Sequence, residues 1–180
     1  MYILIGVNDI PDNQIIKEVK KGEKEMFGLL VERYSDKVFS YFIKFLGDRD
    51  EALNLTNEVF FKAFKGIKNF NEDKDFFPWL IKIARNEGIN FMRKNRSYEE
   101  LEIDNFAEEN YFERDMILED ALKKLNESDR EIILLFYQQD LSYEEIANIL
   151  NISIENVKVR IFRAKEKLRK LLEKEVKDEG

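Results

Sequence analysis

The sequence predicts an all-α protein of two small helical domains joined by an acidic linker, with a helix-turn-helix in the C-terminal domain. Three observations lead there. Gly (7) and Pro (2) are scarce in 180 residues, while strong helix formers such as Lys, Glu and Leu abound. Hairpin signals of the Asn-Gly or Asp-Gly kind are missing. The charge is also unevenly spread. Residues 1–96 carry 17 basic and 15 acidic groups, residues 97–120 carry 1 and 10, and residues 121–180 carry 12 and 12. The net charge of −7 therefore arises in one stretch between two nearly neutral segments.

Apolar periodicity and breaker residues place four helices in the first segment, at 13–21, 24–46, 50–67 and 77–94. The breaks fall at Gly22, at Gly47 to Arg49 and at Lys68 to Phe76. Pro78 then sits in the first turn of the fourth helix, where the missing amide is no loss. The acidic stretch lacks a sustained helical stripe in its first half and reads as a linker. Four more helices follow at 116–124, 128–138, 143–150 and 154–175. The domains expected are 1–96, a linker at 97–115, and 116–180.

The chain has no Cys and no His, which removes thiol nucleophiles, imidazole bases, disulfides and the usual zinc ligands together. The expectation is a non-enzyme with no catalytic residues, no metal and no cofactor. The apolar run Tyr2 to Val7 is too short to cross a bilayer, and no basic segment precedes it. A cytoplasmic protein without membrane insertion is expected.

In the second segment, Ser142 followed by Glu145 makes a capping box that satisfies free amides at a helix start. Ile146, Ala147 and Leu150 form the apolar face of that short helix, and Asn151 tolerates the left-handed conformation that ends it. Ser153 can cap the next helix, whose buried seam would be Val157, Ile161, Ala164 and Leu168. Its other faces carry Asn156, Lys158, Arg160, Arg163, Lys165, Lys167, Arg169 and Lys170 against one nearby acid, Glu166. Such groups suit a helix entering the major groove, some neutralising phosphates and others reaching base edges. The bland alternative is a solvated charged helix.

Two faces in the first segment invite a similar reading. On the third helix, Ala52, Leu55, Val59, Phe60, Ala63, Phe64 and Ile67 form a core face. Opposite lie Asn54, Asn57, Glu58, Phe61 and Lys65, so a large aromatic stands among polar groups, as a partner surface would require. Burial of Phe61 beneath the N-terminal helix is the alternative. On the fourth helix, Phe77, Leu80, Ile81, Ala84, Gly88 and Met92 point to the core, leaving Trp79, Lys82, Ile83, Asn86, Asn90 and Arg93 on another face. Interleaved rings and cations suit single-stranded nucleic acid. The preceding loop adds Phe70, Asn71, Lys74 and Phe76, which could enclose an unstacked base, although aromatics near helix starts also simply pack.

Three stretches carry a family resemblance: DRDEALNLTNEVFFKAFKGIKNF, FFPWLIKIARNEGINFMRKNR and LNESDREIILLFYQQDLSYEEIANILNISIENVKVRIFRAKEKLRKLL. In this order they resemble the extracytoplasmic-function (ECF) group of bacterial sigma factors, from about Asp12 to Leu172. The resemblance implies a subunit that binds core RNA polymerase and promoter DNA, duplex and single-stranded, and leaves an anti-sigma factor open as a further partner. It assigns Asn54, Asn57, Glu58 and Phe61 to the polymerase clamp. It points to Phe70, Lys74, Lys82 and Asn86 as minus-ten contacts, with Asn71, Trp79 and Arg93 on the same surface. Lys158, Val159, Arg160, Phe162 and Arg163 look like minus-thirty-five contacts, beside Asn156. It also implies that the acidic linker threads a basic channel of the polymerase. Some positions depart from the family pattern. Asn54 and Asn57 stand where Asp and Gln are common, Glu87 and Gly88 replace a small or apolar pair, and Val159 replaces a frequent Ser. A stand-alone helix-turn-helix repressor or activator would explain only the C-terminal domain, and a metal nuclease would need acids grouped outside a linker.

Overall fold

The computed structural model describes residues 10–96 and 113–178. Among them lie eight α-helices: α1 (Asp12–Lys21), α2 (Phe27–Leu46), α3 (Arg49–Gly66), α4 (Phe76–Arg96), α5 (Glu113–Lys124), α6 (Glu127–Ile133), α7 (Tyr143–Leu150) and α8 (Ile154–Asp178). The described residues include no strand. Most of the expected linker lies outside them, but its last residues belong to α5, which starts at Glu113 rather than at 116.

Local chemistry fixes the helix ends. Gly22 and Gly47 take left-handed conformations, at φ 119° and 81°, and end α1 and α2. The Asp48 side chain accepts the Glu51 N–H at 2.9 Å and starts α3, as Asn126 accepts the Asp129 N–H at 2.9 Å to start α6. α1 is fastened to α2 by Asp12, which receives Arg33 and the Tyr34 hydroxyl.

α2, α3 and α4 pack on one another, and α5, α6 and α7 pack around α8. Leu30, Val38, Tyr41, Phe42, Ala52, Val59, Ala63, Leu80, Ile81 and Ala84 are fully buried in the first unit. Each large aliphatic among them contributes about 1.5–3 kcal/mol. Leu55, Phe64, Phe77 and Met92, expected in the core, are only half-buried at its margin. The two departures on α4 have packing reasons. Glu87 forms an ion pair with Lys62 of α3, and a Cβ on Gly88 would come within 3.2 Å of the Phe45 ring of α2.

The expected helix 128–138 is broken. α6 stops at Ile133 and the chain continues as a π-helical turn, Leu134–Gln138, ended by Asp140 at φ 54°. That turn faces α2: Gln138 donates to the Ser40 hydroxyl, and the Gln139 side chain donates to the Lys37 carbonyl at 3.4 Å. An isolated widened turn of this kind often marks a place where the helix serves a second purpose, and here it meets the other unit. The buried residues of both units consequently form one continuous apolar cluster.

Candidate nucleic-acid interface

The helix-turn-helix forms as its chemistry requires. The Ser142 N–H donates to Glu145 Oε2 at 2.7 Å, and the Glu145 N–H donates back to Ser142 Oγ at 3.2 Å. Asn151 adopts φ 55°, and the Asn156 N–H donates to Ser153 Oγ at 3.2 Å to start α8. Val157, Ile161 and Ala164 are buried as expected, and Leu168 is half-buried. On α7, Ile149 is buried and Leu150 only half-buried, because α7 is covered by α4 as well as by α8.

Along the outer face of α8, Asn156, Lys158, Val159, Arg160, Phe162 and Arg163 are all exposed. Phe162, 67% exposed, and Val159, 46% exposed, place apolar surface between the cations, suited to a thymine methyl. Lys158 lies 5.9 Å from the centre of the Tyr143 ring. Further along, Lys167 pairs with Asp129, while Arg169 pairs with Glu166 at 3.0 Å and Glu173 at 3.2 Å. The sequence reading counted only Glu166. Among the described residues Arg163, Lys165 and Lys170 form no ion pair and remain available to phosphates or bases.

On α3, Asn54, Asn57 and Phe61 are exposed and Glu58 is half-exposed, 3.4 Å from Lys62. Phe61 is not buried beneath the N-terminal helix. Leu53, 54% exposed, extends this patch. The sequence reading missed Leu53, though it stands four residues before Asn57 and eight before Phe61, on the same helix face.

On the fourth-helix face the sequence leaves two readings of Phe70 and Phe76, enclosing an unstacked base or simply packing. In the structure Phe76 opens α4 and is 1% exposed, and Phe70 is 5% exposed. Their rings and that of half-buried Trp79 pack together at centroid separations of 4.9 to 5.8 Å. The indole lies across Gly66, where a Cβ would approach it to 3.3 Å. Lys20 closes the loop, donating to the Phe70 carbonyl at 2.8 Å and pairing with Glu72 at 2.9 Å. Three flat rings bury more apolar area against each other than any of them could facing water. What remains exposed is polar: Asn71, Lys74, Lys82, Asn86 and Arg93. Asn71 Oδ1 accepts the Asp73 N–H at 3.0 Å, Lys82 donates to the Asn148 carbonyl at 3.3 Å, and Arg93 donates to Asn90 at 2.6 Å.

Between the units lies a buried polar cluster that the sequence reading did not find. Arg85 of α4 pairs with Glu131 of α6 at 2.9 Å, and the Glu131 side chain is only 9% exposed. Burial pushes the Glu131 carboxyl above the ordinary carboxylate range, with Arg85 opposing. Tyr41, wholly buried, is raised well above the usual phenol value by burial and then by Glu131. Arg130 holds four carbonyls at two helix ends: Leu122, Lys123 and Leu125 around the end of α5, and Phe45 of α2 at 3.0 Å. A cation at paired helix C-termini also meets the negative ends of both dipoles. The only sequence hint was a single acid, Glu131, leading an apolar run.

No helix among the described residues is long and apolar enough to cross a membrane. The sequence pattern of Sigma-70 region 2 matches residues 30–98, and that of Sigma-70, region 4 matches residues 115–168. The chain is 31% identical over 182 residues to the RNA polymerase sigma-H factor of Pseudomonas aeruginosa, covering 90% of this chain and 94% of that one. It is 32% identical over 176 residues to the ECF RNA polymerase sigma factor SigW of Bacillus subtilis, covering 87% and 94%. Among solved structures, CnrH in complex with the cytosolic domain of CnrY superposes with a TM-score of 0.73 at 25% identity, covering 90% of this chain and 97% of that one. The sigma factor RpoE in complex with the anti-sigma factor NepR, from Bartonella quintana, gives 0.73 at 25% identity, covering 82% and 96%. With two matched regions spanning both helical units and relatives aligned nearly end to end, the chain belongs to the ECF group of RNA polymerase sigma factors, which act in promoter-specific transcription initiation.

Proposed function

We propose that this chain is a non-catalytic initiation subunit working in the cytoplasm, which binds core RNA polymerase, carries it to its promoters and assists their melting. In this reading residues 1–96 hold the polymerase and the minus-ten element, 97–115 form the connecting linker, and 116–180 hold the minus-thirty-five element. Asn54, Asn57, Glu58 and Phe61 meet the polymerase, with Leu53 added to their patch. Lys74, Lys82, Asn86 and Arg93 follow the minus-ten strand, beside Asn71. Phe70 and Trp79 brace that surface, and Phe70 reaches a base only if its ring leaves the cluster. Asn156, Lys158, Val159, Arg160, Phe162 and Arg163 enter the major groove.

The observation that carries the reading is the capped helix-turn-helix presenting an exposed row of cations and two apolar side chains along α8. Duplex DNA supplies both phosphates and base edges to such a row. The solved relatives bound to CnrY and to the anti-sigma factor NepR support an anti-sigma factor as a further partner here. In vitro transcription with purified core polymerase and sequencing of the transcript starts is the test. Promoter-specific starts should require both the chain and core enzyme. Duplex operator binding with no effect on transcript starts would sink the reading.

A further inference from the structure

The loop that leads into α4, residues 70–75, carries Asn71 and Lys74, both assigned above to the minus-ten element. Little of its own chemistry fixes it. Asn71 Oδ1 accepts the Asp73 N–H at 3.0 Å, and the Asn71 carbonyl accepts the Lys74 N–H at 3.1 Å. Buried Phe70 and, just beyond the loop, buried Phe76 tie down its two ends. Between them every residue is exposed except half-buried Glu72.

Support from outside the loop comes from α1. Ile15, Ile16 and Val19 seat that helix in the core, and Asp12 fastens its start to Arg33 and Tyr34 of α2. Lys20, the last residue but one of α1, is thereby carried to a fixed place, where its half-buried side chain donates to the Phe70 carbonyl at 2.8 Å and pairs with Glu72 at 2.9 Å. Lys17, one turn back on the same helix face, stands 4.0 Å from Glu72. Two effects follow. A cation bonded to a backbone carbonyl holds the chain itself, so the loop is set before DNA arrives and less ordering entropy is lost on binding. The loop also carries Glu72, Asp73 and Asp75 against one Lys74, and an unpaired acid there would repel the phosphates of an approaching strand. α1 neutralises one of the three.

We propose that Lys20 is a positioning residue for minus-ten recognition: it touches no base, but it fixes the loop from which Asn71 and Lys74 reach the strand and screens Glu72 from the phosphates. This rests on the assignment of that loop to the minus-ten element. The test uses the full chain with core polymerase and a promoter library randomised over both elements. Lys20→Met keeps the aliphatic stem and removes the charge. It should flatten base preference at the minus-ten element about fivefold, the size of one net hydrogen bond, with minus-thirty-five preference and core affinity unchanged. Lys20→Arg should restore the preference. The chain's single Trp is Trp79, whose ring lies 4.9 Å from that of Phe70, so acrylamide quenching of its fluorescence reports on the loop without polymerase. Quenching should rise in Lys20→Met and return to the parent level in Lys20→Arg, with helical content constant. Unchanged minus-ten preference, a loss shared equally by both elements, or unaltered quenching overturns the proposal. If neither Asn71→Ala nor Lys74→Ala changes minus-ten preference, the loop itself is misassigned and Lys20 loses its object. If either does and Lys20→Met does not, only the role of Lys20 falls.

Discussion

Lys65 holds its Nζ 4.0 Å from the centre of the Phe61 ring, and that ring is still 52% exposed. A cation over an exposed aromatic face contributes about 0.5–1 kcal/mol. It orders the ring outward from α3 instead of letting it collapse onto the helix, so part of the entropy of docking is spent in advance.

Phe61→Ala should weaken the complex with core polymerase by about 2 kcal/mol or more, roughly thirtyfold, as for a central aromatic anchor. The thermal midpoint should fall only slightly, since the main folded-state loss is the Lys65 contact, about 0.5–1 kcal/mol. Titration of labelled chain with core enzyme, beside a melting curve, checks both. Lowered stability with unchanged affinity would make Phe61 a packing residue.

Phe70→Ala acts first on the fold. Its ring is buried against Phe76 and Trp79, so truncation should cost about 3–5 kcal/mol of stability, measured by urea unfolding. Asn86→Ala, on the exposed face, should leave stability within about 0.5 kcal/mol yet slow open-complex formation on duplex promoters. A pre-opened bubble should rescue it. If Phe70→Ala proves as stable as the parent, the aromatic cluster is not a packing unit.

On α8 the two kinds of cation should separate. Arg163→Ala should change which sequences are preferred, with about 1–3 kcal/mol at stake for a bidentate contact to a base. Lys170→Ala should weaken all sequences alike and reduce the salt slope by about 1. Selection from a randomised duplex pool at two salt concentrations distinguishes them. A uniform loss at Arg163 would assign it to the backbone. Arg163 is the better probe than Arg160, whose charge also acts on Glu131.

Glu131 should give the folded chain a dependence on pH. Its carboxyl is raised by burial, against the opposing pull of Arg85, so folding favours the protonated form. The stabilisation is fully present below the ordinary carboxylate value and is lost as pH rises through the higher value of the folded state. Arg85 from α4, Arg160 from α8 and Glu127 from α6 face the group and set the extent of the shift, and Tyr41 of α2 is itself raised by it. Measured against Glu131→Gln, which cannot titrate, the parent chain should gain stability as pH falls from 7 toward 4.5. Parallel curves would show that Glu131 keeps an unshifted carboxyl.

The sequence made the helices and the helix-turn-helix legible because both depend on local chemistry: glycines at Gly22 and Gly47, the Ser142 and Glu145 box, and the four-three spacing from Val157 to Ala164. Helical phase set Phe61 opposite the core face of α3, but only the fold shows that no other element covers it. The loop of Phe70 has no periodicity to decide between packing and an open ring, and only the position of Gly66 and Trp79 in space shows the ring covered. The π turn and the Arg85–Glu131 pair were out of reach for a related reason. They exist because two distant segments meet, and neither segment alone signals the other.

The buried residues run from Ile15 to Ala164 as one uninterrupted cluster, although two family regions are matched. Heat should therefore treat the chain as a single cooperative body. Calorimetry should give one endotherm whose measured enthalpy equals the van't Hoff value. Arg85→Ala strands the buried Glu131 carboxyl at the joint, so each unit should come to rely on its own smaller apolar interior, and the single peak should resolve into two. The joint between the units thus sets how many times the molecule melts.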